Sequence, residues 1–415
     1  MTTTDRNSVS DRGTVVVVGA GHAAGQLVAS LRQKGHTGRI LLFGEESYLP
    51  YQRPPLSKKF LAGEMPAERL YVKPANFFPD HDIETHLDTR ITRLDPEQSC
   101  IETSAGERFD YDSLVLALGA TPRRLPIPGL DLPNIHVLRS IDDVRGIRES
   151  LSHGKRLAIV GGGYIGLEVA SVATTLGQRV TVIEAASRVM SRVVSPPVSE
   201  FYETLHRDHG VVLRLGQAVS AIEKSDGALR VCLAGGHDEL VDTVLVGVGI
   251  VPNTALAAEA GLAVDDGIVV DEHCRTDRAN VYAIGDCTSH PNALLQRRLR
   301  LESVHNALEQ AKVAAANICG EDVEYAQVPW FWSDQYDVKL QIAGMSQGYD
   351  QVVMRGSPES GSFSCLYLRD GQLIAVDAIN RPLDFVHARP LIAKGVSPAP
   401  DLLADTDRTL KELLV

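Results

Sequence analysis

The chain has 415 residues, a formal net charge of −12 and an ordinary apolar content of 44%, which places it among globular proteins of two or three domains at about 150 residues each. The surplus of acids excludes a general nucleic-acid binder, because neutralising phosphates takes a broad basic face. No run of about 18 apolar residues occurs and the first residues, Met1 to Gly13, are polar with mixed charge, so neither a membrane span nor a secretory signal is expected and the predicted setting is the cytoplasm.

Thr14 to Val18 is a β-branched run that predicts a buried strand, and Gly19, Gly21 and Ala24 follow it at the spacing G-x-G-x-x-A, with His22 and Ala23 inside the turn. A helix is expected to about Gln33, then a strand over Ile40 to Phe43, with Glu45 as candidate ligand for a ribose. The first glycine of such a unit permits a tight turn and the second lets a pyrophosphate approach bare backbone. A small third residue lets helix and strand pack closely. Tyr48 to Lys59 (YLPYQRPPLSKK) carries too many prolines for a regular element and is expected to be a shaped loop. Arg53 and Lys58 within it read either as solvated cations or as residues facing a cofactor.

The phrase SLVLALGATP, with Ala117 and Gly119, ends an apolar strand in a Gly/Pro turn, and TVLVGVGIVPN, with Gly249, echoes it later. Between the two lies Lys155 to Glu184, the fullest nucleotide-binding unit in the chain. It has a strand over Leu157 to Val160, then Gly161, Gly163 and Gly166 at G-x-G-x-x-G, a helix, and a strand over Val180 to Ile183 ending on Glu184. A carboxylate there suits both ribose hydroxyls of NAD and repels the extra phosphate of NADP, at about 4 kcal/mol per unit charge pair. Two phosphate-binding units in one chain imply two nucleotides and electron transfer between them. The fold expected is α/β: two Rossmann-like domains, one inserted in the other, and a C-terminal α+β domain. The expected boundaries are 1–119 with 251–324, then 120–250, then 325–415.

Val281 to Ile284 is a further strand ending in Gly285-Asp286, where the acid reads equally as a plain helix cap or as a ligand for a ribityl hydroxyl. Strands are also expected over Val338 to Ile342, Ser362 to Leu368 and Leu373 to Ile379. The six cysteines, at 100, 232, 274, 287, 319 and 365, form no C-x-x-C pair, which excludes a local redox disulfide and a metal-ribbon site. No metal is expected.

The paired glycine turns, the two bracketing phrases and the strings RPPLSK, GGGYIGLEVA, YAIGDC, LESVHNALEQA and PWFWSDQYD resemble the bacterial NADH-dependent ferredoxin reductases that serve oxygenases, within the two-dinucleotide flavoprotein reductases. The resemblance spans residue 13 to about 390. It implies FAD on Gly19, Gly21, His22, Ala23, Ala24, Glu45, Ala117, Gly119 and Asp286. It puts Arg53, Lys58, Arg139, Glu302, Val304 and Trp332 beside the flavin. NADH falls to Gly161, Gly163, Tyr164, Ile165, Gly166, Glu184 and Gly249. Lys58 and Glu168 are implied to pair near the nicotinamide, and Tyr164 either stacks on that ring or merely covers the helix start.

The implied partner is a small acidic [2Fe-2S] ferredoxin supplying a monooxygenase or a ring-hydroxylating dioxygenase. Arg297, Arg298, Arg300, Lys312 and Lys339 are its candidate dock, on a monomer or a homodimer. A rubredoxin reductase, an NADH oxidase and a redox-sensing flavoprotein are the alternatives.

Overall fold

A computed structural model describes residues 13–153, 156–293 and 295–414. The polar start, 1–12, and Lys155 at the head of the second nucleotide unit lie outside the described residues. The chain divides into two compact units. One runs up to Gln52 and takes in Tyr71–Ala120 and Pro252–Gln327; the other comprises Arg53–Leu70, Thr121–Val251 and Val328–Val415.

The first unit is built on a five-stranded parallel sheet with the order Val281–Ala283, Ser113–Leu116, Val15–Val18, Ile40–Phe43, Ile83–His86. The Val15–Val18 strand has no polar side chain and no exposed face, as a central strand covered on both sides requires. Helix His22–Gln33 covers one face with Leu27, Val28 and Leu31, together with Ala311, Ala314 and Ala315 of helix Val304–Ile318. The alanines let the two helices come close. Ile268, Val270 and Leu262 pack on the other face.

The second unit repeats the plan. Its parallel sheet has the order Val212–Leu215, Arg179–Glu184, Arg156–Val160, Thr243–Val246, Ile135–His136. In both sheets the strand leading into the glycine turn is central, with the strand that leads to the candidate ribose acid on one side and the apolar phrase on the other. The bound nucleotide of such a sheet lies beyond the carboxyl ends of its strands, where the order reverses.

The same unit holds a five-stranded antiparallel sheet with the order Trp330–Gln335, Val338–Gly344, Gln372–Ile379, Ser362–Arg369, Gln351–Ser357, backed by helix Pro382–Lys394. Arg355, buried in that sheet, binds Asp384 and the carbonyls of Leu403, Asp405 and Arg408, which fastens the end of the chain. The proline-rich loop holds one short regular piece, the 3₁₀ turn Pro54–Ser57. Prolines occupy its first positions, where an amide proton has no intrahelical partner anyway.

Candidate functional site

The two glycine turns have the same construction. Gly19 and Gly161 sit at φ +109° and +110°, and a Cβ on either would come within 2.2 Å of the Ala117 carbonyl or 2.4 Å of the Gly247 carbonyl. Only glycine fits there. Gly21 and Gly163 are the N-caps of their helices, with no side-chain cap and no acid in the first turn, and a Cβ on either would meet nothing within 4 Å. That leaves uncovered backbone amides at a positive helix end, which fits the pyrophosphate of a dinucleotide. The third positions differ for a local reason. Ala24 is fully buried yet tolerated, whereas a Cβ on Gly166 would lie 2.2 Å from the Gly161 carbonyl.

Glu184 ends the strand beside the second turn. Its Oε2 accepts from the Gly162 amide at 2.7 Å and its Oε1 from the Ala186 amide at 2.8 Å, so the carboxylate is fixed and keeps lone pairs for ribose hydroxyls. The Arg188 guanidinium donates to the Val194 and Ser191 carbonyls and to Ser199 Oγ, which fixes its position. Gly249, at φ +100°, closes this end of the sheet, and its carbonyl accepts from the Arg123 amide at 2.9 Å. The exposed Ile165 stands at the start of the helix.

In the first unit, Glu45 is exposed and pairs with Arg90 at 3.3 Å. Gly119 accepts from the Asn253 amide at 3.0 Å. Asp286 lies inside a 3₁₀ turn, Gly285–Cys287, whose capping position is Ile284, so the plain helix-cap reading does not hold. Gln310, fully buried, pins that turn: its Oε1 accepts from the Gly285 amide at 2.7 Å and from Thr288 Oγ at 3.0 Å. Val304 opens its helix under a Ser303 cap, and Glu302 pairs with Arg300.

One turn into the Tyr164–Thr175 helix, Glu168 is buried and receives donors from two distant segments. Lys58 Nζ lies 2.7 Å from its Oε2, with side chains 17% and 4% exposed. Ser57 Oγ donates to Oε2 at 2.5 Å, and Ser333 Oγ donates to Oε1 at 2.6 Å. Lys58 also donates to the Pro54 carbonyl at 3.3 Å. Arg53 donates to the Arg139 carbonyl at 2.5 Å, while the Arg139 amide is held by Asp143. Tyr164 packs on Phe331 with ring centroids 4.8 Å apart. Burial, then the nearby Asp377, Tyr202 and Glu168, raise its hydroxyl well above the usual phenol range. Trp332 is partly buried against Trp330 and Phe331.

Ser57, Ser333, Phe331 and Gln310 had not been singled out from the sequence. Strand alternation over WFWSDQ sets Ser333 and Gln335 on one face, and that was a readable signal.

The candidate dock is less open than a run of arginines suggests. Arg300 is drawn into Glu302 and Asp266, Arg298 donates to the Val270 and Ser289 carbonyls, and Lys312 pairs with Glu309 at 2.6 Å. Lys339 is exposed. Among the described residues no cluster suits a metal ion, and no helix is long and apolar enough to cross a membrane.

Two nucleotide turns on paired parallel sheets, without a cysteine pair, define a two-dinucleotide oxidoreductase. The chain belongs to the pyridine nucleotide-disulphide oxidoreductase family, which it matches over residues 13–311, and residues 330–414 match the reductase C-terminal family. It is 45% identical over 401 residues to the 5,5'-dehydrodivanillate O-demethylase ferredoxin reductase subunit of Sphingobium sp., covering 96% of this chain and 97% of that one. It is 42% identical to rhodocoxin reductase of Rhodococcus erythropolis, over 96% of this chain and 93% of that one. Its fold superposes on the reductase in the covalent putidaredoxin reductase-putidaredoxin complex with a TM-score of 0.94, at 40% identity over 97% of this chain and 98% of that one.

Proposed function

We propose that this protein is an FAD-dependent ferredoxin reductase, which takes a hydride from NADH and passes electrons one at a time to a [2Fe-2S] ferredoxin of an oxygenase system. The observation that carries this reading is the doubled glycine turn in a chain with no cysteine pair. Both nucleotides have a seat, and the electrons have no internal disulfide to reach. Bound FAD supplies the chemistry, accepting two electrons together and releasing them singly.

The residues of the chain supply position and charge. Amides at the start of helix His22–Gln33 would hold the FAD pyrophosphate, with Glu45 toward the ribose and Asp286 toward the ribityl chain. Amides at Gly163 hold the NADH pyrophosphate, and Glu184 selects NADH over NADPH. Lys58, anchored by Glu168, would supply an ammonium able to stabilise negative charge on the reduced flavin. The family resemblance assigns Arg53, Arg139, Glu302, Val304 and Trp332 to the flavin, and Tyr164 would shield the ring or stack on the nicotinamide. No side chain serves as nucleophile. The domains follow: 1–119 with 251–324 for FAD, 120–250 for NAD and 325–415 as the interface. Six free cysteines suit a reducing cytoplasm.

For the ferredoxin, Arg297, Arg298, Arg300, Lys312 and Lys339 remain the candidate dock, with Arg298, Arg300 and Lys312 contributing a positive field already partly neutralised. The test uses purified carriers under anaerobic conditions: NADH-driven reduction of a [2Fe-2S] ferredoxin should far exceed that of rubredoxin. Faster rubredoxin reduction would change the carrier, and fast NADH consumption in air without any carrier would make the protein an oxidase.

A further inference from the structure

Glu168 is also the end of a longer chain of bonds. Ser333 Oγ lies 2.6 Å from Glu168 Oε1, Gln335 Nε2 lies 3.2 Å from Ser333 Oγ, His206 Nε2 lies 2.9 Å from Gln335 Oε1, and the Tyr336 hydroxyl lies 3.4 Å from His206 Nδ1. Ser333, Gln335 and His206 are all 0% exposed, so water does not compete for these bonds. We propose that Ser333, Gln335 and His206 are positioning residues for the NADH reaction, forming a one-way hydrogen-bond chain that obliges Glu168 to act as an acceptor and so fixes Lys58. The proposal rests on the reductase reading above.

The direction follows from the inventory of protons. A carboxylate only accepts, so the single Ser333 proton points at Glu168. Ser333 Oγ must then accept from Gln335, which fixes the amide with its nitrogen toward the serine. The reverse orientation would set a carbonyl against an oxygen with no proton left to give. Gln335 Oε1 therefore accepts, and His206 Nε2 carries the hydrogen. Burial lowers the His206 imidazole to about 4, which keeps it neutral and leaves Nδ1 to accept from Tyr336. The Tyr336 ring stacks on the exposed His209 with centroids 3.7 Å apart, so the chain starts at the surface. Every bond points toward Glu168, and aligned bonds in a dry interior polarise one another. An amide link keeps its own protons, so the chain orients the carboxylate and does not conduct.

Other titratable groups face this region. Lys58 comes from the 53–70 segment, Tyr164 from the same helix and Tyr202 from helix Pro196–Asp208, while Asp377 faces both tyrosines and Asp334 faces Tyr202. Both phenols stay protonated, because burial raises them. Burial raises the Asp377 carboxyl to about 7, so the informative comparison is between variants that all retain it.

The experiment uses the FAD-loaded protein. Histidine 15N NMR on labelled protein should show one neutral, Nε2-protonated imidazole through pH 5.5 to 8.5 that disappears in H206Q. A charged or Nδ1-protonated His206 at neutral pH overturns the proposal. In stopped-flow reduction by NADH, Ser333→Ala and His206→Phe should slow flavin reduction severalfold, because Glu168 loses a fixed donor and holds Lys58 less firmly. His206→Gln, whose amide can still donate to Gln335, should restore the wild-type rate. An unslowed Ser333→Ala, or a His206→Gln as slow as His206→Phe, overturns the chain. Wild-type flavin that NADH does not reduce would sink the reductase reading instead, and the NMR result would still decide the chain.

Discussion

The pairing of Lys58 with Glu168 makes a quantitative demand. At 2.7 Å, opposite unit charges attract by about 6 kcal/mol at an effective dielectric near 20. Desolvation offsets much of that, since the two side chains are only 17% and 4% exposed. Exposed pairs couple by up to about 1 kcal/mol, and breaking a buried pair costs about 3–5 kcal/mol. A half-shielded pair with two extra hydroxyl donors should therefore couple by about 2 kcal/mol, or roughly thirtyfold in rate. The test is a double-mutant cycle on the stopped-flow rate of flavin reduction by NADH, using Lys58→Met, Glu168→Gln and the double variant. Each single change should slow reduction at least tenfold. In Glu168→Gln the new amide group also faces a hydroxyl or ammonium donor, so that variant loses a bond as well as a charge. The double variant should be no slower than the worse single one. If the double is slowed by the product of the singles, with coupling within about 0.5 kcal/mol of zero, the pair does not act as a unit.

Four further outcomes follow. Gly163→Ala should melt like the wild type, because its Cβ meets nothing within 4 Å, yet bind NADH at least tenfold more weakly by calorimetry; unchanged affinity would refute the open cradle. Glu184→Ala should narrow the preference for NADH over NADPH by tenfold or more in kcat/KM, and a constant ratio would remove Glu184 from donor selection. Burial raises the Asp377 carboxyl to about 7, against about 3.9 in the unfolded chain. The folded form therefore keeps a proton that the unfolded form releases, and the stability this confers is full below about pH 4 and lost as pH rises through about 7. Asp377→Asn should accordingly gain on the wild type by about 2–3 kcal/mol in thermal melts between pH 5 and 8, and a constant gap would refute the shift. Lys339→Glu with Arg297→Glu should slow ferredoxin reduction severalfold while leaving NADH-ferricyanide activity intact; equal loss of both would remove the dock.

The nucleotide turns were legible because their constraints are local. A glycine at φ +110° against the Gly247 carbonyl is required by a few neighbouring residues, and its spacing survives in the sequence. Glu184 was legible for the same reason, since its strand follows the turn directly. The bracketing phrases were readable as the flanking strands of two similar sheets, and the absent cysteine pair excluded an internal acceptor without any geometry. The surroundings of Glu168 were only partly legible. Ser57 reaches it across 111 positions and Ser333 across 165, and nothing in a serine marks its target. The basic run around Arg300 misled in a different way. Sequence shows charges but not the carboxylates and carbonyls the fold brings against them, and here Asp266, Glu302 and the Val270 carbonyl absorb much of that run.

The measurement that bears most directly on the central claim is anaerobic double-mixing stopped flow. FAD-loaded protein is mixed first with one equivalent of NADH and then with oxidised [2Fe-2S] ferredoxin, with flavin and iron-sulfur absorbance followed separately. The account predicts rapid flavin bleaching by NADH, much slower bleaching by NADPH, and return of flavin absorbance in step with reduction of two ferredoxins per flavin. Flavin that NADH leaves oxidised, or reduced flavin that ferredoxin leaves untouched, would contradict it.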